Sequence, residues 1–368
     1  MQIPYSLTLS PDERLAWLAW STIIEIGPRS IERLLALFGS LNEAWNASSR
    51  QLASAGLTTL QIQKVEAGRK QFNHDLFLET LKRIGITARL LPDPDYPPLL
   101  REIADPPIVL FCRGAIPTLP LLAVVGTRNP TSYGRHMTER LTTGLVASGL
   151  GIVSGLAFGI DSVAHQAALT ANGPTVAIFA SGLDRVYPTS NESLAWSILK
   201  RGGAWLSEYP PGTSPLKHHF PLRNRIIAGL CLGALIIEAG EKSGALITAA
   251  YALDSNREVF AVPGPVTSLQ SAGTNQLIKR GANVVTTSED VCTQLNITRE
   301  IQPQLPALAE PSKDAAVILK LLAIEPHNID HLIEKCKMTS SRVLELCARL
   351  ELEGRIRKLD NLTYALLR

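Results

Sequence analysis

Between Glu208 and Glu238 the chain carries no carboxylate, and this window holds Lys217-His218-His219-Phe220-Pro221-Leu222-Arg223-Asn224-Arg225. Three permanent cations, two titratable histidines and an aromatic ring within nine residues suit a flexible polyanion. Cations neutralise phosphates, and a ring or guanidinium plane offers a stacking surface to unpaired bases. A solvated basic turn has the same composition, so position in the fold must decide between the two. Phe220 likewise has two readings, a stacking platform or a piece of the core.

Other groups capable of chemistry are sparser. Asp161 reads as a helix N-cap or an acid. Glu208 and Glu238 could form a carboxylate pair, but no nucleophile or metal cluster accompanies them. His327 and His331 lie one helical turn apart without a third ligand, which reads as two surface histidines. The five cysteines are scattered, with no Cys-x-x-Cys, as expected of buried thiols in a reducing compartment. No cofactor motif is present: Gly126-Thr127-Arg128-Asn129 stands where a dinucleotide fingerprint would be, and the phosphate-loop lysine motif is missing.

These groups must be positioned by the elements around them. From Leu121 short apolar runs (121–125, 151–153, 175–180, 204–206, 234–237, 259–262, 283–285) alternate with helical stretches. Runs without polar alternation are strands covered on both faces, so this is an α/β protein with a doubly wound, mostly parallel sheet. In such sheets ligands bind beyond the carboxyl ends of the strands. Gly126-Thr127-Arg128, Ser154-Gly155, Ser181-Gly182, Ser207-Glu208 and Ser243-Gly244 fall there. Small residues admit a ligand backbone, and the helix N-termini that follow present free amides.

Residues 1–85 read as short helices, with turns at Gly27-Pro28 and Gly56 and a C-cap at Gly39. They resemble a paired helix-hairpin-helix (SAM-like) module, either structural or in contact with DNA. Eight prolines in residues 90–120 prevent helix, and the stretch reads as a lead-in layer packed on the sheet, with a strand at 108–111. The sheet domain is expected over 86–298, a linker over 299–311 and a winged helix over 312–368, where Gly354 precedes a β-wing. The last region has ten Lys/Arg against eight Asp/Glu, little basis for strong DNA binding.

Whole-chain numbers set limits. The 36 Lys+Arg against 33 Asp+Glu give a net charge of +3, so any anion-binding surface is local. With 45% hydrophobic and 19% charged residues the chain is compact and soluble. The N-terminus lacks signal-peptide character and no apolar run of about 18 residues is present, which predicts a cytoplasmic protein.

Six motifs in order then resemble one family. They are Val125-Gly126-Thr127-Arg128; Ser154-Gly155 with Gly159, Asp161 and Ala164-His165; Ser207-Glu208-Tyr209-Pro210; Phe220-Pro221 with Arg223-Asn224-Arg225; Glu238 with Ser243-Gly244 and Thr248; and Val262-Pro263-Gly264 with Gly273-Thr274-Asn275. The chain resembles the DNA-processing protein A (DprA, or Smf) family, whose core is an extended Rossmann fold. The resemblance implies a non-enzymatic protein without cofactor that binds single-stranded DNA cooperatively, protects it during natural transformation and loads the RecA recombinase. It also implies DNA contacts at Gly126, Thr127, Arg128, Gly155, Lys217, Phe220, Arg223, Asn224 and Arg225, with Ser243, Gly244 and Asn275 as loop residues of the same pocket. A homodimer through the Rossmann domain follows on the same grounds.

Two other readings stay open. The core also resembles nucleotide phosphoribohydrolases, although their glycine-rich loop is reduced here to Pro263-Gly264-Pro265. The winged helix resembles those of transcription regulators.

Overall fold

In a computed structural model of the chain, residues 9–297, 312–323, 327–336, 338–352, 355–358 and 363–366 are described. The chain divides into two compact units, residues 1–299 and 300–368. The linker expected at 299–311, the N-terminal four residues and Gly354 lie outside the described residues.

The first unit is built on the apolar runs. In chain order they become β3 (Leu121–Val125), β4 (Gly151–Ser154), β5 (Thr175–Ile178), β6 (Ala204–Ser207), β7 (Gly233–Ile236), β8 (Glu258–Ala261) and β9 (Asn283–Val284). Every residue of β3 to β7 is buried, as strands covered by helices on both faces require. The intervening helices are α8 (Ser132–Ala147), α9 (Ile160–Thr170), α10 (Glu192–Lys200), α11 (His219–Gly229), α12 (Ala245–Asp254) and α13 (Ala272–Lys279), with α14 (Ser288–Gln294) after β9. All pairings from β6 through β9 are parallel, and Ala123 of β3 sits between Val153 of β4 and Ala234 of β7. The chain therefore winds outward from β3 to β6, then returns to β7 on the other side of β3. The β3/β7 boundary is the switch point, where a crevice must open beyond the strand ends.

The proline-rich stretch is not a separate layer. It supplies α7 (Pro98–Arg101) and β2 (Val109–Gly114), and β1 (Thr87–Leu90) leads into it; the two strands extend the sheet, with β2 antiparallel to β6 and β1 antiparallel to β2. The prolines flank β2 without entering it, so its amides stay free to pair.

Ahead of these lie α1 (Pro11–Ser21), α2 (Pro28–Phe38), α3 (Leu41–Asn46), α4 (Ser49–Ser54), α5 (Thr59–Gln71) and α6 (His74–Arg83). Gly39 closes α2 at φ 78°, as its sequence position predicts. Trp17, Trp20, Ile31 and Leu34 bury against one another and join the same continuous core as Leu90, Tyr96 and Phe111. Arg14 also grips Asp93 with both terminal nitrogens, at 2.5 and 2.9 Å. Residue 85 is thus a change of element type, while the core runs on across it.

The second unit contains α15 (Lys313–Leu322), β10 (His327–Asn328), α16 (Ile329–Cys336), α17 (Ser340–Leu352), β11 (Ile356–Lys358) and β12 (Thr363–Leu366). The strands form an antiparallel sheet in the order β10-β12-β11, and Ile318, Leu332, Leu346 and Ile356 fill its core, giving the winged helix. His327 is buried there, unlike the surface histidine expected, because its strand pairs with Tyr364.

Candidate nucleic-acid interface

At the switch point the loop after β3, the loop after β7 and one face of α11 enclose a crevice of about 750 Å³. Gly126 is fixed by crowding: a Cβ there would lie 2.6 Å from Ile160 and 2.9 Å from the Glu238 carbonyl. Thr127 donates its amide to that carbonyl at 2.7 Å, which fixes where Arg128 leaves the backbone. Arg128 is exposed, and its guanidinium lies 5.7 Å from the Phe220 ring centroid. Opposite, Lys242, Ser243 and Gly244 precede the N-terminus of α12; Ser243 Oγ accepts the Ala245 amide at 3.3 Å, and the positive end of the helix dipole lies at the crevice.

The basic stretch is a helix, where its sequence had looked like a turn. Helical geometry then sorts its side chains, since residues three, four and seven apart share a face. Phe220, Arg223, Asn224 and Ile227 share one and line the crevice, with exposed Lys217 just ahead of them. Arg225 is carried to another face, where it pairs with Glu208. The structure does not bring Arg225 to the rim.

Arg223 is buried. Its Nη1 donates to the carbonyls of Gly155 (2.7 Å) and Ile178, and its Nε to Asn224 Oδ1 at 3.2 Å. Gly155 has a defined role in this arrangement, because a Cβ there would meet the guanidinium at 2.5 Å. Burial lowers the Arg223 pKa to about 10; Asp161 opposes this and Arg128 adds to it. Arg223 is still a cation at neutral pH, and an arriving anion would restore what burial removes.

Asp161 is the second residue of α9 and not its cap. Its buried carboxylate accepts the amides of Gly155 (3.1 Å) and Ala157 (3.3 Å), shaping the loop after β4. Burial raises its pKa, with Arg223 opposing. Glu208 and Glu238 do not pair: Glu238 is buried and accepts Thr131 N at 2.9 Å and Thr131 Oγ1 at 2.5 Å. Asn275 lies off the crevice and clamps Gly264, donating to its carbonyl at 3.0 Å and accepting its amide at 3.3 Å. Among the described residues no group of three or more His, Cys, Asp or Glu is placed to hold a metal.

Sequence reasoning missed Lys242 and Tyr187, both of which line the crevice. Lys242 was legible in the loop after β7, next to Ser243. Nothing local marks Tyr187.

A doubly wound α/β unit with a cationic crevice at its switch point, followed by a winged helix, defines the class. The chain belongs to the DNA recombination-mediator protein A (DprA) family: residues 88–296 match that family, and residues 302–361 match the DprA winged helix domain. Protein Smf of Synechocystis sp. is 40% identical over 294 residues, covering 78% of this chain and 74% of the relative. DNA processing protein DprA of Bacillus subtilis is 40% identical over 262 residues, covering 68% and 88%. The crystal structure of DprA from Streptococcus pneumoniae superposes with a TM-score of 0.66 at 34% identity, over 80% of this chain and 99% of that one. A Helicobacter pylori DprA structure, described for its single-stranded DNA binding mode, gives 0.51 at 30% identity, over 57% and 95%. No helix among the described residues is long and apolar enough to cross a membrane.

Proposed function

We propose that the chain binds single-stranded DNA in the switch-point crevice without catalysing a reaction on it. It protects incoming strands during natural transformation and passes them to the RecA recombinase in the cytoplasm, acting as a homodimer through its sheet domain. Charge balance carries the reading: among the described residues Arg128, Lys217, Arg223 and Lys242 line the crevice against Asp161 as its one lining carboxylate. Asp161 is itself occupied by backbone amides, which leaves it poorly placed for acid–base work. The Phe220 ring beside two guanidinium groups adds a surface suited to a base. The single-stranded DNA binding mode described for the Helicobacter relative supports the same ligand.

A mobility-shift comparison tests this. Single-stranded DNA is expected to outcompete duplex of equal length, with affinity falling as salt rises. Preference for duplex would favour a winged-helix regulator instead. Release of adenine from AMP would favour the hydrolase.

A further inference from the structure

Four aromatic residues follow neighbouring strands at the carboxyl edge: Tyr133 after β3, Phe158 after β4, Tyr187 after β5 and Phe220 after β6. Tyr133, Phe158 and Tyr187 are 41%, 50% and 50% exposed. Among the described residues one other Phe, Tyr or Trp is exposed, Trp196 at 38%, and the Arg113 guanidinium lies over its ring at 4.6 Å. Isolated exposed rings are ordinary on protein surfaces. These are not isolated. Their strands are consecutive in the sheet, so the rings spread over roughly three strand spacings, about 15 Å.

Two of them sit beside the crevice, Phe158 on restrained backbone. Ala157, next to Phe158, lines the crevice, and Asn191 Nδ2 donates to the Leu156 and Ala157 carbonyls at 2.9 and 3.3 Å. Leu156 is buried with φ 55°, and Gly159 is pressed so close that a Cβ would lie 2.4 Å from the Thr127 carbonyl. The loop thus buries Leu156 and displays Phe158 immediately beside the Arg128 segment. Tyr187 lines the crevice and leans on Phe220, with ring centroids 5.7 Å apart and planes at 59°.

We propose that Phe158 and Tyr187 are base-stacking residues that set the preference for single over double strands. This rests on the crevice being a single-stranded DNA site. Lysine and arginine take phosphates from either form, whereas a π-face is available only from an unpaired base. The strand then crosses the loops after β4 and β5, with its phosphates toward Arg128 and its bases toward the two rings.

The test uses the full chain with oligothymidine, an abasic strand of equal length and a duplex of equal length. Phe158→Leu with Tyr187→Leu is expected to weaken oligothymidine binding roughly 5- to 150-fold per lost base contact. Binding to the abasic strand, the salt slope and the melting temperature stay at parental values, so the single-strand preference shrinks. Phe158→Tyr with Tyr187→Phe, which keeps both rings, is expected to bind like the parent. If the leucine variant does not fold, Phe158→Trp replaces it, and oligothymidine must quench the added fluorescence. An unchanged affinity, an equal loss on the abasic strand or an absent quench overturns the proposal while leaving the crevice reading intact. A parent chain that binds no single strand overturns both.

Discussion

Arg128 and Arg223 present the same group to one crevice from opposite physical situations. Arg128 is exposed and has no ion pair among the described residues, so its worth lies in what it binds. Arg128→Ala is expected to weaken binding to all single-stranded sequences about equally and to lower the log–log salt slope by roughly 0.7. Arg128→Lys should restore only part, because lysine cannot copy a bidentate phosphate contact. Unchanged affinity and slope would make Arg128 a structural residue. Phe220 is half-buried between Tyr187 and the two guanidinium groups, outside the buried core, so Phe220→Leu should lose about 1–3 kcal/mol of binding per base at constant melting temperature. Equal binding by the leucine variant would rule stacking out. His165 carries a third prediction. Its Nδ1 meets Thr175 Oγ1 at 2.7 Å, and burial lowers its pKa to about 3. Below the ordinary histidine value near 6.5 the unfolded chain gains a proton that the folded chain refuses. Stability from this group is complete above about pH 6.5 and is lost toward pH 3, by up to about 1.4 kcal/mol per pH unit. Asp161 and Glu208, whose pKa values burial raises, act with the opposite sign. His165→Gln should therefore flatten the acid decline of the urea midpoint; an unaltered decline would place the titration elsewhere.

At the scale of elements, α11 sets the limit of what local sequence reveals. The strands were legible because burial on both faces leaves uninterrupted apolar runs. Helix α11 was not, because it is buried on most sides: His219, Arg223 and everything from Arg225 to Gly229 is covered, so no amphipathic period survives. Pro221 in its first turn adds the appearance of a break, although a first turn tolerates proline. Once the stretch is helical, the fate of its cations follows from spacing, and Arg225 meets a partner 17 residues upstream that no local pattern announces. The crevice residues from Gly126 to Arg128 were legible for the converse reason, since a strand followed at once by small residues can only end at the rim. The Arg225/Glu208 pair is nearly dry, and removing one member leaves the other uncompensated. Arg225→Ala is expected to cost about 3–5 kcal/mol in urea unfolding while leaving the DNA salt slope unchanged. A slope lowered by roughly 0.7 without loss of stability would instead make Arg225 the phosphate ligand that its motif implies.

For the whole molecule, a net charge of +3 creates no general attraction for DNA, so binding must come from one local concentration of charge. That concentration lies wholly within the first unit, on the loops after β3 and β7 and on α11 with the residues just ahead of it. The working boundary of that unit is set by its core. Cutting at residue 86 would strip α1 to α6 from Leu90, Tyr96 and Phe111, and would leave Asp93 without Arg14. Exposing that much apolar surface costs about 25 cal/mol for each Å² uncovered, against a total stability of only about 5–15 kcal/mol. A fragment of residues 86–298 is therefore expected to aggregate or unfold. A fragment of residues 1–299 should melt cooperatively and bind oligothymidine with the affinity and salt slope of the full chain. The winged helix, with its near balance of charge, would then serve a purpose other than holding the single strand. Loss of most single-strand affinity from a well-folded 1–299 fragment would show that the second unit supplies part of the interface.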